Sequence, residues 1–359
     1  MFDIDFFQNV TTLKKKIVAG DFFISDADEI EKELDALRTK KPKVFNIETT
    51  NYCNMKCIMC PRTELMTRKN IWIDDSIFQK VVEQIEPHSN QDLEKFWDFI
   101  ENEYGLSENE PSENTFYFRV VSRCVILHGY GEPLLDKKIV ERIKVCADRG
   151  IPTYFSCVPA NLTIERAKEV MDAGLTVFKF SIDALDDEWQ KRIRGSQNNF
   201  DASYRTILDI IDLKKKQGYK TLLVPTMIAL SEDATSRQMH SKFMELWENK
   251  DVFAYVKSQD NRWLLEEDEE MENRSHYEPQ YCEYPFTSIT VMADGSVVPC
   301  TQDYDTEMAL GNVNEGKLEE IWNSEPYKNF RRMHITGDFP KGHKCKERCD
   351  QKKLYQYLK

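Results

Sequence analysis

Three cysteines stand close together in the segment Cys53-Asn-Met-Lys-Cys57-Ile-Met-Cys60, directly after a β-rich stretch from Val44 to Thr49. Their spacing, C-x3-C-x2-C, puts three thiols on one loop, so the fold must leave this loop facing a shared ligand. Each thiolate can bind one iron atom of a cubane cluster, which leaves the fourth iron without a protein ligand. Zinc is the alternative, but structural zinc sites have four ligands, usually in two close pairs. The loop therefore favours an iron–sulfur cluster with one open iron.

The N-terminal sequence and the overall charge limit the kind of protein. The first ten residues, MFDIDFFQNV, lack the basic segment and apolar core of a signal peptide. No apolar run approaches the roughly 20 residues that a membrane-spanning helix needs. A formal charge of −13 argues against non-specific nucleic-acid binding, which requires a basic surface. We expect a cytoplasmic protein without membrane or nucleic-acid partners. Ten cysteines in such a chain favour metal ligation or catalysis over disulfides.

The cysteine loop resembles the cluster-binding loop of the radical S-adenosylmethionine (SAM) superfamily. In that family SAM chelates the open iron through its amino and carboxylate groups. One electron from the reduced cluster then cleaves SAM to methionine and a 5′-deoxyadenosyl radical. The resemblance implies that Cys53, Cys57 and Cys60 hold a [4Fe–4S] cluster. It also implies that Met59 lies near the adenine, at a position where the family often has an aromatic residue.

A second segment, Gly129-Tyr-Gly131-Glu132-Pro133, follows the next predicted strand. Glycines at the end of a strand allow the backbone to approach a ligand closely. The segment is similar to the GGEP motif of the radical SAM family, with Tyr130 in place of one glycine. By this resemblance Gly129, Gly131 and Glu132 bind SAM, and Glu132 contacts its ammonium group.

Strand-like and helix-like stretches alternate along most of the chain. About six β/α units predict an α/β fold, a parallel sheet curled into a partial (β/α)6 radical SAM barrel with a small C-terminal α+β module. The predicted domains are an N-terminal extension (1–43), the barrel (44–257), a linker (258–281) and the C-terminal module (282–359). An acidic insertion over 87–117 interrupts the barrel. It is predicted to be either solvated surface or a lid or docking helix around Phe96 to Ile100.

Polar residues stand where later strands are predicted to end. Ser156 and Cys157 end the third strand, and Ser181 and Asp183 follow the fourth. Active sites of β/α barrels gather at the carboxyl ends of the strands, and polar residues there contact the SAM ribose and carboxylate in radical SAM enzymes. The expected SAM contacts are Ser156, Ser181, Asp183 and Arg194, with structural or solvated roles as the alternative. Cys157 and Arg194 are also candidate catalytic residues, since a thiol can return a hydrogen atom to a substrate radical.

Four further cysteines lie in the C-terminal module: Cys282, Cys300, Cys345 and Cys349. A hairpin with an Asp294-Gly295 turn is predicted there, followed by one helix from Leu318 to Met333. Four thiolates complete either a tetrahedral zinc site or a closed iron–sulfur cluster. The segments ADGSVVPC, LGNV and LEEIWNS resemble the SPASM/twitch extension of radical SAM enzymes. The resemblance implies one fully ligated auxiliary [4Fe–4S] cluster.

A closed cluster cannot bind SAM, but it can accept an electron. The layout resembles the butirosin-type aminocyclitol dehydrogenases and related sugar-modifying radical SAM enzymes. We therefore expect oxidation of a small polar substrate, a carbohydrate or aminocyclitol, with a reductant such as flavodoxin or ferredoxin. Peptide maturation, redox-neutral sugar epimerisation and a non-catalytic iron–sulfur protein are the alternatives. Three residues just after the cysteine loop are expected to be solvated, with a substrate phosphate or hydroxyl as the alternative partner: Arg62, Thr63 and Arg68.

Overall fold

The computed structural model describes residues 1–231, 233–259, 281–349 and 351–359. Nine strands and fifteen α-helices lie within these ranges. The strands are β1 (Val44–Ile47), β2 (Val125–Ile126), β3 (Thr153–Cys157), β4 (Val177–Ser181), β5 (Leu222–Ala229), β6 (Tyr255–Ser258), β7 (Ile289–Val291), β8 (Ser296–Val298) and β9 (Gly311–Asn312). The helices are α1 (Ile4–Ala19), α2 (Ala27–Leu37), α3 (Asp75–Val82), α4 (Asn90–Tyr104), α5 (Glu113–Arg123), α6 (Ile139–Asp148), α7 (Ile164–Asp172), α8 (Asp187–Arg194), α9 (Phe200–Gln217), α10 (Ala234–Trp247), α11 (Tyr284–Thr287), α12 (Leu318–Trp322), α13 (Glu325–Thr336), α14 (Lys344–Glu347) and α15 (Leu354–Leu358). None of these helices is both long enough and apolar enough to cross a membrane.

The nine strands form one sheet in the order β6-β5-β4-β3-β2-β1-β7-β8-β9. The strands β1 to β6 are neighbours in chain order, and each pair is parallel. Parallel strands place their carboxyl ends at the same edge of the sheet, and β/α barrels build their active sites at that edge. The predicted α/β fold with six parallel strands is confirmed. The predicted linker over 258–281 lies almost entirely outside the described residues.

The C-terminal strands extend the sheet of the barrel. β7 lies parallel to β1, with Val291 opposite Ile47. β8 and β9 continue the sheet in antiparallel pairs. The Asp294-Gly295 turn joins β7 to β8 as predicted, and Gly295 has a φ of +86°, which favours glycine. Because one sheet runs through both predicted domains, the boundary between them stays a prediction.

The prediction of one helix from Leu318 to Met333 is wrong. Two helices, α12 and α13, take its place, and they are separated at Asn323 and Ser324. Pro326 lies in the first turn of α13. A proline has no backbone N–H to donate to the preceding turn, so it favours the start of a new helix over the continuation of an old one.

Alternate residues of the strands face two different apolar cores, because successive side chains of a strand point to opposite faces. Phe155 and Phe178 lie in the cluster formed with the outer helices. Tyr154, Val177 and Val224 lie in a second cluster, together with residues of α1, α4 and α5. These three helices therefore cover the inner face of the sheet, below its carboxyl edge.

The acidic insertion over 87–117 is part of this second core. It contains α4 and the beginning of α5, and Phe96, Trp97 and Ile100 of α4 are buried in the cluster on the inner face. The prediction of a solvated surface insertion is therefore wrong. The lid or docking helix around Phe96 to Ile100 is wrong as well, because these residues face the protein. The acidic residues that suggested a solvated segment lie on the other side of an amphipathic helix.

Replacing Phe96 with alanine should destabilise the whole protein. Phe96 is 1% exposed, and truncation of a buried phenylalanine typically costs about 3–5 kcal/mol. The matched control is Phe23→Ala, because Phe23 is 81% exposed and should change the free energy of unfolding by less than about 0.5 kcal/mol. Urea unfolding followed by circular dichroism measures both. Equal midpoints for the two variants would contradict the structural role of the insertion.

Candidate active site

The cysteine loop leaves β1 and is held in place by the end of α8. The backbone N–H of Lys56 donates to the carbonyl of Arg194 (3.1 Å), and that of Ile58 donates to the carbonyl of Ile193 (3.0 Å). Gly195 follows with a φ of +104°, and a Cβ there would lie 3.2 Å from the backbone nitrogen of Lys56. A side chain at this position would be strained, because the backbone conformation favours glycine and the neighbouring backbone of Lys56 would have to shift.

The three thiols of the loop share one apolar cluster. Cys53, Cys57 and Cys60 pack together with Met55 and Met59. Burial raises the pKa of Cys53 to about 12 and also raises the pKa of Cys57. A buried thiolate is stable only beside compensating positive charge, which iron atoms supply. The backbone N–H of Met55 donates to the Cys53 Sγ (3.4 Å). This clustering of thiols in an apolar surrounding, with a donor to sulfur, fits an iron–sulfur cluster.

Arg194 and Asp183 form a buried pair beside the loop. The Arg194 Nε donates to the Asp183 carboxylate, and its Nη1 donates to the Cys57 Sγ (3.6 Å). Burial alone would lower the pKa of Arg194, but Asp183 and Cys57 raise it above its ordinary value. The second Asp183 oxygen accepts from the backbone N–H of Ile228 (2.9 Å). In this structure Asp183 therefore orients Arg194 towards a cluster thiol, and direct SAM contacts of the two residues stay predictions.

Glu132 is buried next to the cysteine loop. Its carboxylate accepts from the backbone N–H of Val158 (3.0 Å) and of Leu134 (3.3 Å). Its own N–H donates to the carbonyl of Tyr52 (2.8 Å), the residue before the first cysteine. Burial raises the pKa of Glu132 to about 7. Arg194 lies close enough to offset part of this effect, and the ammonium group of SAM would supply a second cation.

The two glycines of the Glu132 loop pack against the end of β1. A Cβ at Gly131 would lie 2.2 Å from the Thr50 carbonyl oxygen, and one at Gly129 would lie 2.7 Å from the Glu48 side chain. Protein atoms therefore explain both glycines. Their contact with SAM stays a prediction.

Ser156 and Ser181 meet at the carboxyl edge of the sheet. Their hydroxyl oxygens are 3.1 Å apart, since β3 and β4 are neighbours with Ser156 and Ser181 near their ends. Cys157 points the other way and is buried in the outer core with Phe155 and Phe180. Burial raises the pKa of the Cys157 thiol well above its ordinary value. The role of Cys157 as a hydrogen donor stays a prediction, and this placement does not favour it.

Three residues on the inner face were not identified from the sequence: His128, Lys179 and Tyr255. The His128 Nδ1 accepts from the backbone N–H of Ser156 (3.3 Å), where the ladder between β2 and β3 ends. The Lys179 Nζ donates to the Tyr255 hydroxyl (3.2 Å) and lies 5.3 Å from the centre of the Phe116 ring. A lysine in the middle of an apolar strand was the available signal, because a buried cation needs polar or aromatic partners.

A buried ion pair links the cysteine loop to the C-terminal segment. The Arg68 guanidinium donates to both oxygens of Glu48, at 2.7 and 2.8 Å, and its Nε donates to the carbonyl of Tyr304 (2.6 Å). Glu48 also accepts from the backbone N–H groups of Tyr130 and Ala293, each at 3.3 Å. The prediction that Arg68 is solvated is wrong, and its partner is a carboxylate of the protein.

The four C-terminal cysteines come together although they are far apart in sequence. Burial raises the pKa values of Cys282 and Cys300 well above the ordinary value, and the thiols of Cys345 and Cys349 raise them further. The backbone N–H of Gln302 donates to the Cys300 Sγ (3.4 Å). Across the described ranges, no three His, Cys, Asp or Glu side chains converge on the position of a single metal ion. This applies to the cysteine loop and to the C-terminal thiols alike.

Comparisons with known proteins agree with this geometry. The model of the radical SAM superfamily matches residues 47–233, and that of an iron-sulfur cluster-binding domain, SPASM, matches residues 282–350. A SAM-dependent 2-deoxy-scyllo-inosamine dehydrogenase of Niallia circulans is 32% identical over 65 residues, which cover 18% of this chain and only 26% of that protein.

Two further relatives match over most of their length. A tungsten-containing aldehyde ferredoxin oxidoreductase cofactor-modifying protein of Pyrococcus furiosus is 22% identical over 353 residues, covering 86% of this chain and 89% of that protein. The structure of Streptococcus suis SuiB bound to its precursor peptide SuiA has a TM-score of 0.50 at 12% identity, covering 94% of this chain and 82% of that one. At this identity the likeness to SuiB shows a shared fold.

Proposed function

The chain belongs to the radical SAM superfamily, and from this premise we propose that it oxidises a small polar substrate, a carbohydrate or an aminocyclitol. Members of the superfamily bind a [4Fe–4S] cluster and SAM, and the SPASM domain binds auxiliary iron–sulfur clusters. When bound, the reduced cluster cleaves SAM to a radical that removes hydrogen from the substrate. The enzyme therefore needs an external reductant, for which flavodoxin and ferredoxin are the proposed donors.

The observation that carries the proposal is the second thiol group. Cys282, Cys300, Cys345 and Cys349 supply four ligands, which would leave no open iron for SAM. Oxidation of an alcohol to a ketone needs an acceptor for one electron after the hydrogen atom has left. A closed cluster can take that electron, whereas an epimerisation would not require it. The dehydrogenase of Niallia circulans, similar over 65 residues, supports the same reaction class.

We assign the residues around the SAM site as follows. The thiols of Cys53, Cys57 and Cys60 ligate the SAM cluster, and Arg194 donates a hydrogen bond to one of them. Glu132 accepts a hydrogen bond from the SAM amino group, because its carboxylate is buried beside the first cysteine of the loop.

The substrate is proposed to lie on the inner face of the sheet, beyond the SAM site. The hydroxyls of Ser156 and Ser181 mark its upper end, and Lys179 with Tyr255 marks its lower end. His128, which accepts from a backbone N–H through Nδ1, carries its proton on Nε2 when neutral and can donate to a substrate oxygen. Such a polar lining suits a hydroxylated or amino-substituted ring.

The test is an anaerobic incubation of the reconstituted, reduced enzyme with SAM and 2-deoxy-scyllo-inosamine or related amino sugars. We expect 5′-deoxyadenosine and a ketone in equal amounts, with deuterium carried from the oxidised carbon into 5′-deoxyadenosine. Formation of 5′-deoxyadenosine without an oxidised product from any of these substrates would refute the dehydrogenase. A product that has the mass of the substrate in H2O and gains one deuterium in D2O would identify an epimerase instead.

A second candidate is the modification of a cofactor precursor or a peptide. The Pyrococcus furiosus protein, named for modifying a cofactor, is similar over 86% of this chain. This candidate uses the same residues for SAM but a larger substrate. It predicts that small amino sugars fail to stimulate SAM cleavage, whereas the cofactor precursor or peptide does stimulate it.

A further inference from the structure

Tyr130 stands between the two cysteine sites. It belongs to the Glu132 loop, where it replaces a glycine of the family motif, and its ring is buried. The ring meets that of Tyr304 edge to face, with centroids 6.0 Å apart. Cys60 of the cysteine loop and Met308 of the C-terminal segment pack against the same two rings. Met308 in turn lies 3.6 Å, sulfur to sulfur, from Cys345.

The hydroxyl of Tyr130 reaches the backbone beside Cys300. It donates to the carbonyl of Thr301 (2.8 Å) and, more weakly, to that of Gln302 (3.2 Å). The Thr301 carbonyl and the Gln302 N–H are the two ends of one peptide group. That N–H donates to the Cys300 Sγ (3.4 Å). A continuous chain of hydrogen bonds therefore runs from the Tyr130 hydroxyl through one peptide group to a cysteine sulfur.

Hydrogen bonds in such a chain strengthen one another, because each polarises the group that the next one uses. A donor at the carbonyl withdraws electrons from the peptide and makes its N–H a stronger donor to sulfur. Hydrogen bonds to the sulfurs are among the determinants of the reduction potential of an iron–sulfur cluster. They stabilise the reduced state more than the oxidised state, because reduction adds negative charge to the cluster and its thiolates.

We propose that Tyr130 is a positioning residue that raises the reduction potential of the auxiliary cluster through the Thr301–Gln302 peptide group. The proposal rests on the proposed function, in that Cys300 must ligate that cluster. It places a determinant of electron acceptance on the same loop as Glu132, two residues away. The loop that is proposed to bind SAM thus also adjusts the site that is proposed to take the electron.

The test compares three forms of the reconstituted holoenzyme: wild type, Tyr130→Phe and Tyr204→Phe. Tyr130→Phe keeps the ring against Tyr304 and removes only the hydroxyl. Tyr204→Phe is the control, because Tyr204 of α9 packs against Phe200 and Trp247 and, among the described residues, shares no apolar cluster with the cysteines of either site. Redox titration followed by EPR measures both clusters, and SAM distinguishes them because it perturbs only the signal of the open one.

We expect Tyr130→Phe to shift the equilibrium of the auxiliary cluster towards its oxidised form by roughly threefold to tenfold, tenfold being about 59 mV for a one-electron couple. Tyr204→Phe should leave both potentials unchanged. An opposite shift is expected when position 130 carries 3,5-difluorotyrosine, whose more acidic hydroxyl is a stronger donor. A tyrosine with only a structural role would not give shifts of opposite sign in the two variants. The fluorinated form therefore still tests the proposal if Tyr130→Phe folds poorly.

The outcomes distinguish a failure of the role of Tyr130 from a failure of the proposed function. An auxiliary cluster that is present, and whose potential is equal in wild type, Tyr130→Phe and the fluorinated form, overturns the role of Tyr130 alone. An auxiliary signal that survives Cys300→Ala unchanged, or that is missing from the wild type, overturns the assignment of Cys300 and therefore the proposed function as well.

Discussion

Cys57→Ala should abolish the cleavage of SAM while the auxiliary cluster stays in place. Cys57 is the central thiol of the loop and the one that receives a hydrogen bond from Arg194. With only two thiols left on the loop, the open cluster loses a ligand that it cannot replace, because a [4Fe–4S] cluster with one open iron needs three. Bound iron should fall from about eight to about four atoms per chain. Formation of 5′-deoxyadenosine should fall to background.

Cys146→Ala is the matched control for this experiment. Cys146 is as buried as Cys57 but lies on the core-facing side of α6, away from both thiol groups. It should keep its full iron content and its rate of SAM cleavage. If both variants lost the same amount of iron, the loss would reflect general destabilisation, and the assignment of Cys57 as a ligand would fail. Iron analysis and chromatographic detection of 5′-deoxyadenosine provide the two readouts.

Glu132→Gln should weaken SAM binding roughly 10- to 100-fold, the usual cost of removing one charged hydrogen-bond partner. The wild type should also bind SAM less tightly as the pH falls from 8 to 6. Burial raises the pKa of Glu132 to about 7, so acidification neutralises the carboxylate that would face the ammonium group. The Gln variant carries no titrating group here, so its affinity should depend much less on pH. Equilibrium binding of SAM to the anaerobic enzyme measures both.

The same substitution should remove a pH dependence of stability when SAM is absent. The folded pKa of Glu132 is about 7 and the ordinary value is 4.5. Between these values the folded state holds a proton that the unfolded state has lost, so the stability of the wild type falls as the pH rises through this window. Above pH 7 the full cost is present, roughly 3 kcal/mol at 1.36 kcal/mol for each pH unit. Glu132→Gln carries no titrating group at this position, so its stability should not fall in this way between pH 4.5 and 7.

Urea unfolding at several pH values, without SAM, tests this difference in pH dependence. The control is Glu141→Gln, since Glu141 is exposed and its substitution should leave the pH profile unchanged. Parallel pH profiles of the wild type and Glu132→Gln would show that the Glu132 carboxylate is ionised in the folded protein without cost. In that case Glu132 would be a structural residue rather than the partner of SAM.

Local patterns in the sequence determined much of this protein. The spacing of Cys53, Cys57 and Cys60 requires the three thiols to share one loop, whatever surrounds it. The alternation of strands and helices predicted the six parallel strands, because consecutive strands of a β/α barrel pair in chain order. The Asp294-Gly295 pair predicted its turn because neighbouring residues determine the backbone of a two-residue turn.

Only the tertiary structure decided which distant side chains meet. Sequence showed that α4 is charged, but not that its apolar face would cover the inside of the sheet. It identified Tyr130 only as a substituted glycine, whereas the fold brings its hydroxyl to the peptide group beside Cys300, 170 residues away. It placed Arg68 in solvent, although Glu48 holds it in a buried pair. The periodicity of a sequence shows which side of a helix or strand is apolar. It does not show which distant helices and strands surround each polar side chain, and these neighbours determine whether that side chain is buried or solvated.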